Sequence, residues 1–527
     1  MALQLPGFPA FDRPYARFVV LGAIVGLALL LRIYFFAGYI GLDDGEYARF
    51  AYELANGQFR FGEYEGPAVF PLRWAVFYPP SLLVAMLGLG EWSIALYPLA
   101  LSIAGLLMCY LCAATLFDRK IGLIAATLYA MNPLDVREAT RLLPDLPAAV
   151  YASAGIVVLL LLIRKSIYRS REVLMAGVLA GILFGLSWLC KETVAFFVLT
   201  CAALLFIYTR RQPKMGLQLW LAVGAGSLFV LVAEAATYAI VAGDWLYRFH
   251  EIERNYQQWP NSFFTEGSNF GWAEGSSRAV ALVKRLFISG PKHVLLNGDF
   301  LYMPLVAFLG CARAIYARDR EFILPAVWLI SLVLMFNFAS SSVSSYSPLP
   351  LFNRYYYPIL FPSVVVAAAL IGKLIFGAKG KRDEQGAESL FWGSVVASAI
   401  ALIAADSFYR FNRPPLTWTP EVRRMRDMVA PSTTLYADTL ALRAMNFFHG
   451  FPSETAWVDF QDVDDSTDMP RGSLVFVDSA YLDWLNVNVG MWLNNTTGYR
   501  DHDFYRIAPS TWQKLLETDN AVLYEVQ

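Results

Sequence analysis

Three carboxylates, Asp43, Asp44 and Glu46, fall within four residues of one another in the segment GLDDGEYARFAYELANGQF, directly after an apolar stretch. Acids at a bilayer boundary in partly apolar surroundings have raised pKa values, which suits them to general-base work. The plainer reading is that they mark the water interface and stay solvated. Farther along, MNPLDVREATRLLPDLP brings Arg137, Arg141 and Asp145 near one another. Asp145 opens a helical pattern, where the helix dipole favours negative charge, and Pro147 just inside agrees with an N-cap. Lys191 and Glu192 stand between two apolar runs. A lysine at the bilayer centre costs about 2.5–3.5 kcal/mol, so this pair marks a tight turn at the membrane surface. There Lys191 either meets a phosphate or pairs with Glu192. Arg354, in LFNRYYYPILFP, is followed by Tyr355, Tyr356 and Tyr357. Tyrosines alone read as an interfacial belt, but arginine is suited to bidentate phosphate contact.

The elements that position these residues follow from composition. Of 527 residues, 57% are hydrophobic and 16% charged, well below the roughly 25% charge of soluble domains. Apolar runs long enough for a bilayer recur. Eleven spans are expected, near 18–40, 92–117, 121–137, 145–163, 173–190, 193–208, 216–242, 300–317, 322–338, 355–376 and 389–406. The segment 75–90 is apolar but short and carries Pro79-Pro80, so it reads as a re-entrant or interfacial helix. With eleven spans, the clusters Arg13/Arg17, Arg119/Lys120, Arg164/Lys165/Arg169/Arg171, Arg210/Arg211/Lys214, Arg313/Arg318/Arg320 and Lys373/Lys379/Lys381/Arg382 share one face. The positive-inside bias makes that face cytoplasmic. The expected fold is therefore an α-helical polytopic membrane protein, residues 1–406, with outer loops 41–91 and 243–299. An extracytoplasmic α/β domain, 407–527, follows, with strands at STTLYAD, SLVFVDS and NAVLYEV. The N-terminus is cytoplasmic and the first span retained, in a plasma (inner) membrane. Cys109-x-x-Cys112 lies in an apolar run without nearby ligands and reads as packing rather than redox or metal chemistry. A net charge of −1 names no nucleic-acid partner. Sequons at Asn494 and Asn495 carry weight only in a secretory lumen.

Carboxylates and cations thus converge on one outer rim beside hydrocarbon. A soluble substrate has no need of a phosphate site at that depth, whereas a polyprenyl-phosphate sugar does. At these residues the chain resembles the GT-C superfamily, in the branch of protein O-mannosyltransferases and the aminoarabinose transferase of lipid A. Asp43, Asp44 and Tyr47 match its Asp-Glu-x-x-Tyr pattern, with Asp in place of Glu. Asp145 matches a second acidic site, Arg354, Tyr355 and Pro358 a late Arg-Tyr…Pro segment, and Tyr78-Pro79-Pro80 also fits.

The resemblance implies inverting transfer of a monosaccharide to a lipid, polysaccharide or protein acceptor. Asp43 is then the general base, Asp145 its catalytic companion, and Arg354 the stabiliser of the leaving phosphate with Lys191 or Arg141. Asp44, Tyr47, Arg73, Tyr78 and Tyr355 complete the expected substrate contacts. No cofactor is otherwise required, but Asp43, Asp44 and Asp145 are hard-oxygen candidates for a divalent cation. Two rivals stand beside this reading. One is a membrane transporter, which should show interrupted helices in paired halves. The other is a polysaccharide ligase or oligosaccharyltransferase using pyrophosphate-linked donors.

Overall fold

The computed structural model describes residues 14–61, 68–165, 169–258, 264–268, 271–342, 346–376, 405–406, 409–410, 418–463, 469–478 and 508–527. Among them, seven segments are long and apolar enough to cross a bilayer. Four are single helices: α4 (Glu91–Leu116), α7 (Asp145–Lys165), α8 (Ser170–Cys190) and α10 (Pro213–Val241). Three begin as 3₁₀ turns: Glu192–Phe197 leads into α9 (Val198–Arg211), Arg320–Phe322 into α15 (Ile323–Phe338), and Asn353–Ile359 into α16 (Leu360–Phe376). Shorter apolar stretches are Phe18–Tyr34 of α1 (Pro14–Tyr34), α3 (Trp74–Leu87) and α14 (Met303–Tyr316), and α11 (Tyr247–Gln258), α12 (Arg278–Lys284) and α13 (Gly290–Leu295) link α10 to α14.

The expected set of eleven differs for local reasons. The segment 121–137 is broken into α5 (Arg119–Ala130) and α6 (Pro133–Glu138), because the Asn132 side chain caps the second helix and Pro133 sits at its first turn. Twelve residues of helix reach only about 18 Å. The first span ends at Tyr34 rather than residue 40, and Gly38, at φ +62°, turns the chain towards α2 (Asp43–Ala55). The short segment with two prolines is a helix, α3, too short to span, as its reading required. The span expected near 389–406 lies outside the described residues, save its last two positions.

Where α8 and α10 cross, they meet through small residues. A Cβ on Gly181 would come within 2.2 Å of the Val223 carbonyl oxygen, and one on Gly226 within 2.3 Å of that of Val178. The backbones therefore touch, which is how helices associate when lipid gives no hydrophobic drive. The basic turns gather at one end of the bundle. Lys373 holds Asp319 and lies 3.0 Å from Glu321, Arg164 lies 3.8 Å from Glu321, and Lys373 stands over the rings of Phe117 and Phe322. Arg13, Lys379, Lys381 and Arg382 fall outside the described residues. Asp145 starts α7 and Arg164 nearly ends it, so the two lie about 28 Å apart along the helix axis, at opposite ends of the bundle.

The C-terminal part is a small sheet domain. Strands β1 (Leu435–Ala437), β2 (Trp457–Asp459), β3 (Leu474–Asp478), β4 (Trp512–Glu517) and β5 (Ala521–Val526) order as β2-β1-β3-β5-β4, parallel on one side and antiparallel on the other. The three expected strands are β1, β3 and β5. β2 is only three residues long, and the WQKLLE of β4 is rich in helix formers; its pairing with β5 overrides that preference. The sequons at 494 and 495 are outside the described residues. Helices α17 (Trp418–Met425) and α18 (Thr439–Phe448) dock the sheet on the membrane part. Tyr39 stacks on Phe447 at 4.0 Å and donates to the Arg443 carbonyl at 3.0 Å, while Arg423 meets Glu91 and Arg443 lies 3.7 Å from Glu46.

Candidate active site

Five sequence-singled residues, drawn from four separate elements, form one contact chain. Asp43, the first residue of α2, accepts from Arg354 Nη2 at 2.6 Å. Arg354, on the 3₁₀ turn before α16, turns its Nε to within 3.8 Å of the Asp145 carboxylate at the head of α7. Asp145 accepts at 2.5 Å from Lys191, which sits just past the end of α8 with its Nζ 3.6 Å from the centre of the Tyr355 ring. Access separates them: the side chains of Asp145 and Lys191 are 5% and 8% exposed, those of Arg354 and Asp43 24% and 37%. The Asp43–Arg354 pair is thus the open side of the chain, with the buried pair behind it. The phosphate contact weighed for Lys191 is taken up by Asp145 and the tyrosine face. Nor does Lys191 pair with its neighbour, since Glu192 turns away to Arg73 at 3.5 Å and Arg248 at 3.1 Å.

The raised pKa anticipated for the acids does not hold at Asp43. Burial opposes its ionisation, but the Arg354 guanidinium, with Arg73 and Arg141 beyond it, outweighs that and keeps the carboxyl below the ordinary range. Asp43 is an anion held by a cation. Asp44 is the one raised, by burial first and by the Asp43 charge among the further causes. It is fully buried and accepts the backbone N–H groups of Ile40 at 2.6 Å and Leu42 at 3.1 Å. Asp44 therefore fixes the turn that presents Asp43, and its carboxylate is taken up by backbone N–H groups. With Asp44 turned inward, the three acids do not assemble, and no group of three metal-binding side chains gathers among the described residues.

The other candidates flank this chain. Arg73, at the head of α3, donates to the Tyr47 hydroxyl at 2.6 Å. Arg141 lies 3.4 Å from Glu138, on a branch with Arg137 and Asp299. Asp299 also receives Asn353, the neighbour of Arg354. Tyr78 stands apart, half-exposed on α3, with its carbonyl taken by Ser81.

Residues 75–236 match the family described as dolichyl-phosphate-mannose-protein mannosyltransferase. No curated protein is matched. Among solved structures, ArnT from Cupriavidus metallidurans bound to undecaprenyl phosphate superposes with a TM-score of 0.58 at 13% identity, over 98% of this chain and 99% of that one. The chain has the GT-C fold. The Archaeoglobus fulgidus oligosaccharyltransferase in its apo form shares it more distantly, with a TM-score of 0.52 at 14% identity, over 84% of this chain and 64% of that one. AglB from the same organism, in complex with an inhibitory peptide and a dolichol-phosphate, gives 0.50 at 14% identity, over 92% and 71%. The resemblance read from the sequence is borne out by these matches.

Within this GT-C fold, sequence reasoning passed over the deepest charges. Arg32 and Asp135 form an ion pair with no exposure at all, and around it gather Ser102, Tyr129, Tyr357 and the Ala130 carbonyl. Glu234, on α10, accepts from Arg248 at 2.8 Å and from the Trp188 indole at 3.0 Å, and Arg248 also binds the Leu72 carbonyl at 2.7 Å. The signal was available: each of Arg32, Asp135 and Glu234 falls inside an expected span, where an ionisable residue calls for a partner.

Proposed function

We propose that this chain is an inverting glycosyltransferase that moves a monosaccharide from a polyprenyl-phosphate carrier to an acceptor on the outer face of a plasma (inner) membrane. The observation that carries the reading is the half-open Asp43–Arg354 pair, at the bundle end opposite the basic turns. Positive-inside bias assigns those turns to the cytoplasm, which leaves the pair and the sheet domain outside. The family match to a lipid-phosphate-sugar transferase and the fold shared with ArnT, which was solved with undecaprenyl phosphate, support this donor class.

In the proposed reaction the donor phosphate takes Arg354 as its counter-ion and frees the Asp43 carboxylate. Asp43 accepts the proton of the acceptor hydroxyl or amine. The acceptor atom bonds to the anomeric carbon from the face opposite the leaving group, which inverts that centre. The carbon–oxygen bond to phosphate breaks, its electron pair leaves with the phosphate, and Arg354 stabilises the charge. Asp145 and Lys191 hold Arg354 in place from behind, and the buried Tyr47–Arg73 pair supports the same rim.

The test is transfer in detergent from a panel of polyprenyl-phosphate sugars. Asp43→Asn should lower kcat by about 10²–10⁴-fold while insertion and unfolding temperature stay unchanged. Arg354→Ala should chiefly weaken use of the donor. Near-normal turnover by Asp43→Asn overturns the base assignment. Activity confined to pyrophosphate-linked donors would place the chain with the ligases or oligosaccharyltransferases instead, and uptake into sealed vesicles without transfer would make it a transporter.

A further inference from the structure

At the bundle end away from Asp43, helices α9, α14 and α15 leave between them a groove of about 600 Å³. Its walls are apolar, with Leu199, Ala203, Ala314, Val327 and Leu334 among them, and Ser331, bonded to Thr200 at 2.6 Å, lies at its side. Leu199, Ile323, Ile330 and Leu334 are exposed, so the groove opens on the outer surface of the bundle, the surface that a bilayer would cover. Arg318, Asp319 and Arg320 form its polar end.

The charges at that end do not cancel. Asp319 is held by Lys373, and Glu321 by Lys373 and Arg164. Arg318 and Arg320 have no ion-pair partner among the described residues and are exposed. The turn that carries them is held in an uncommon conformation. Arg318 adopts φ +54°, a region that non-glycine residues avoid, and is kept there by its own N–H to the Ile315 carbonyl at 3.2 Å and by Asp319 N–H to Ala314 at 2.8 Å. An apolar slot lying along the helices, capped by two unneutralised guanidinium groups, is complementary to one kind of molecule: an acyl chain bearing an anionic phosphate head.

We infer that this groove binds an anionic phospholipid, an acyl chain lying along α9 and α15 and its phosphate at Arg318 and Arg320. The site is separate from the Asp43 rim and its occupancy does not depend on transferase activity.

The experiment uses the full chain in nanodiscs of equal phosphatidylglycerol and phosphatidylcholine, followed by release and native mass spectrometry. The wild type should retain phosphatidylglycerol in preference to phosphatidylcholine. Replacing both arginines, as Arg318→Gln with Arg320→Gln, should cut that preference more than about tenfold. Ala203→Phe or Val327→Trp, each filling the slot, should remove the retained lipid whatever its head group. Two slot-filling variants at different walls guard against one that fails to insert, which gel filtration would reveal. Equal retention of the two lipids by the wild type, persistence of bound lipid in both slot-filling variants, or retention of a polyprenyl phosphate in its place would each overturn the assignment.

Discussion

At the residue scale, the point of interest is that Asp43 and Asp44 are neighbours with opposite duties. One is held ionised by a cation at the rim, while the other is buried against backbone N–H groups and keeps the first in position. This yields a pH prediction. In the free protein Arg354 keeps the Asp43 carboxyl below the ordinary range, so the base form survives as pH falls past the usual aspartate value of about 3.9. If the donor phosphate draws Arg354 away, Asp43 loses its counter-ion and its pKa rises. The acid limb of kcat, which reports the bound complex, should then lie at higher pH than the limb of kcat/KM, which reports the free enzyme. Arg354→Gln should raise the free-enzyme limb and bring the two together. Coincident limbs in the wild type would rule out the hand-over. That Asp43, Asp145, Lys191 and Arg354 lie together was readable from residue type and sidedness. What was not readable was which partner each takes, because a side chain's pairing depends on elements far apart in the sequence, 46 residues for Lys191 and Asp145 and 311 for Arg354 and Asp43. Lys191 reaches Asp145 rather than adjacent Glu192 for that reason.

Elements are held by polar groups placed where lipid offers none. The Arg32–Asp135 pair ties α1 to α6, with Ser102 of α4, Tyr129 of α5 and Tyr357 of the Arg354 turn closing around it. Removing one partner of such a pair leaves a buried charge and costs about 3–5 kcal/mol, whereas an apolar replacement of both costs far less. Asp135→Leu should therefore lower the unfolding temperature in detergent sharply, and Arg32→Met combined with Asp135→Leu should recover most of the loss. A double variant as unstable as the single one would show that the cost lies in packing. The spans flanked by charge clusters were legible from hydropathy. The interruption at Asn132-Pro133 was hidden, because the residues around it are apolar enough to continue a run even though the backbone cannot. Glycines 177, 181 and 185 of α8 face α10, where a Cβ on each would meet Ala222, Val223 and Val230 in turn.

Across the whole molecule, the sheet domain is a clamp on the segment that leads into α2. Tyr39 is buried between that segment and α18, stacked on Phe447, and Ile40 accepts from Thr419. Tyr39→Ala should loosen both sides at once. In the full chain, amide exchange should rise in residues 39–46 and in 439–448 together, and kcat should fall without loss of insertion. Faster exchange in only one of the two would mean that the domain and the rim are mechanically separate. The presence of a C-terminal α/β unit could be anticipated from its change of composition. Its grip on residues near position 40 could not, since nothing local in either stretch names the other.

That grip has a bearing on how the protein comes into being. Strand β5 is paired on both sides, and Asp43 precedes it by more than four hundred residues. A ribosome must therefore deliver the first helix and the rim acids long before the brace that sets them is available. A chain arrested ahead of residue 418 would hold both aspartates and most of its spans, yet leave Tyr39 without its stacking partner. Catalytic competence would then arrive late in biogenesis, once β5 has joined its sheet.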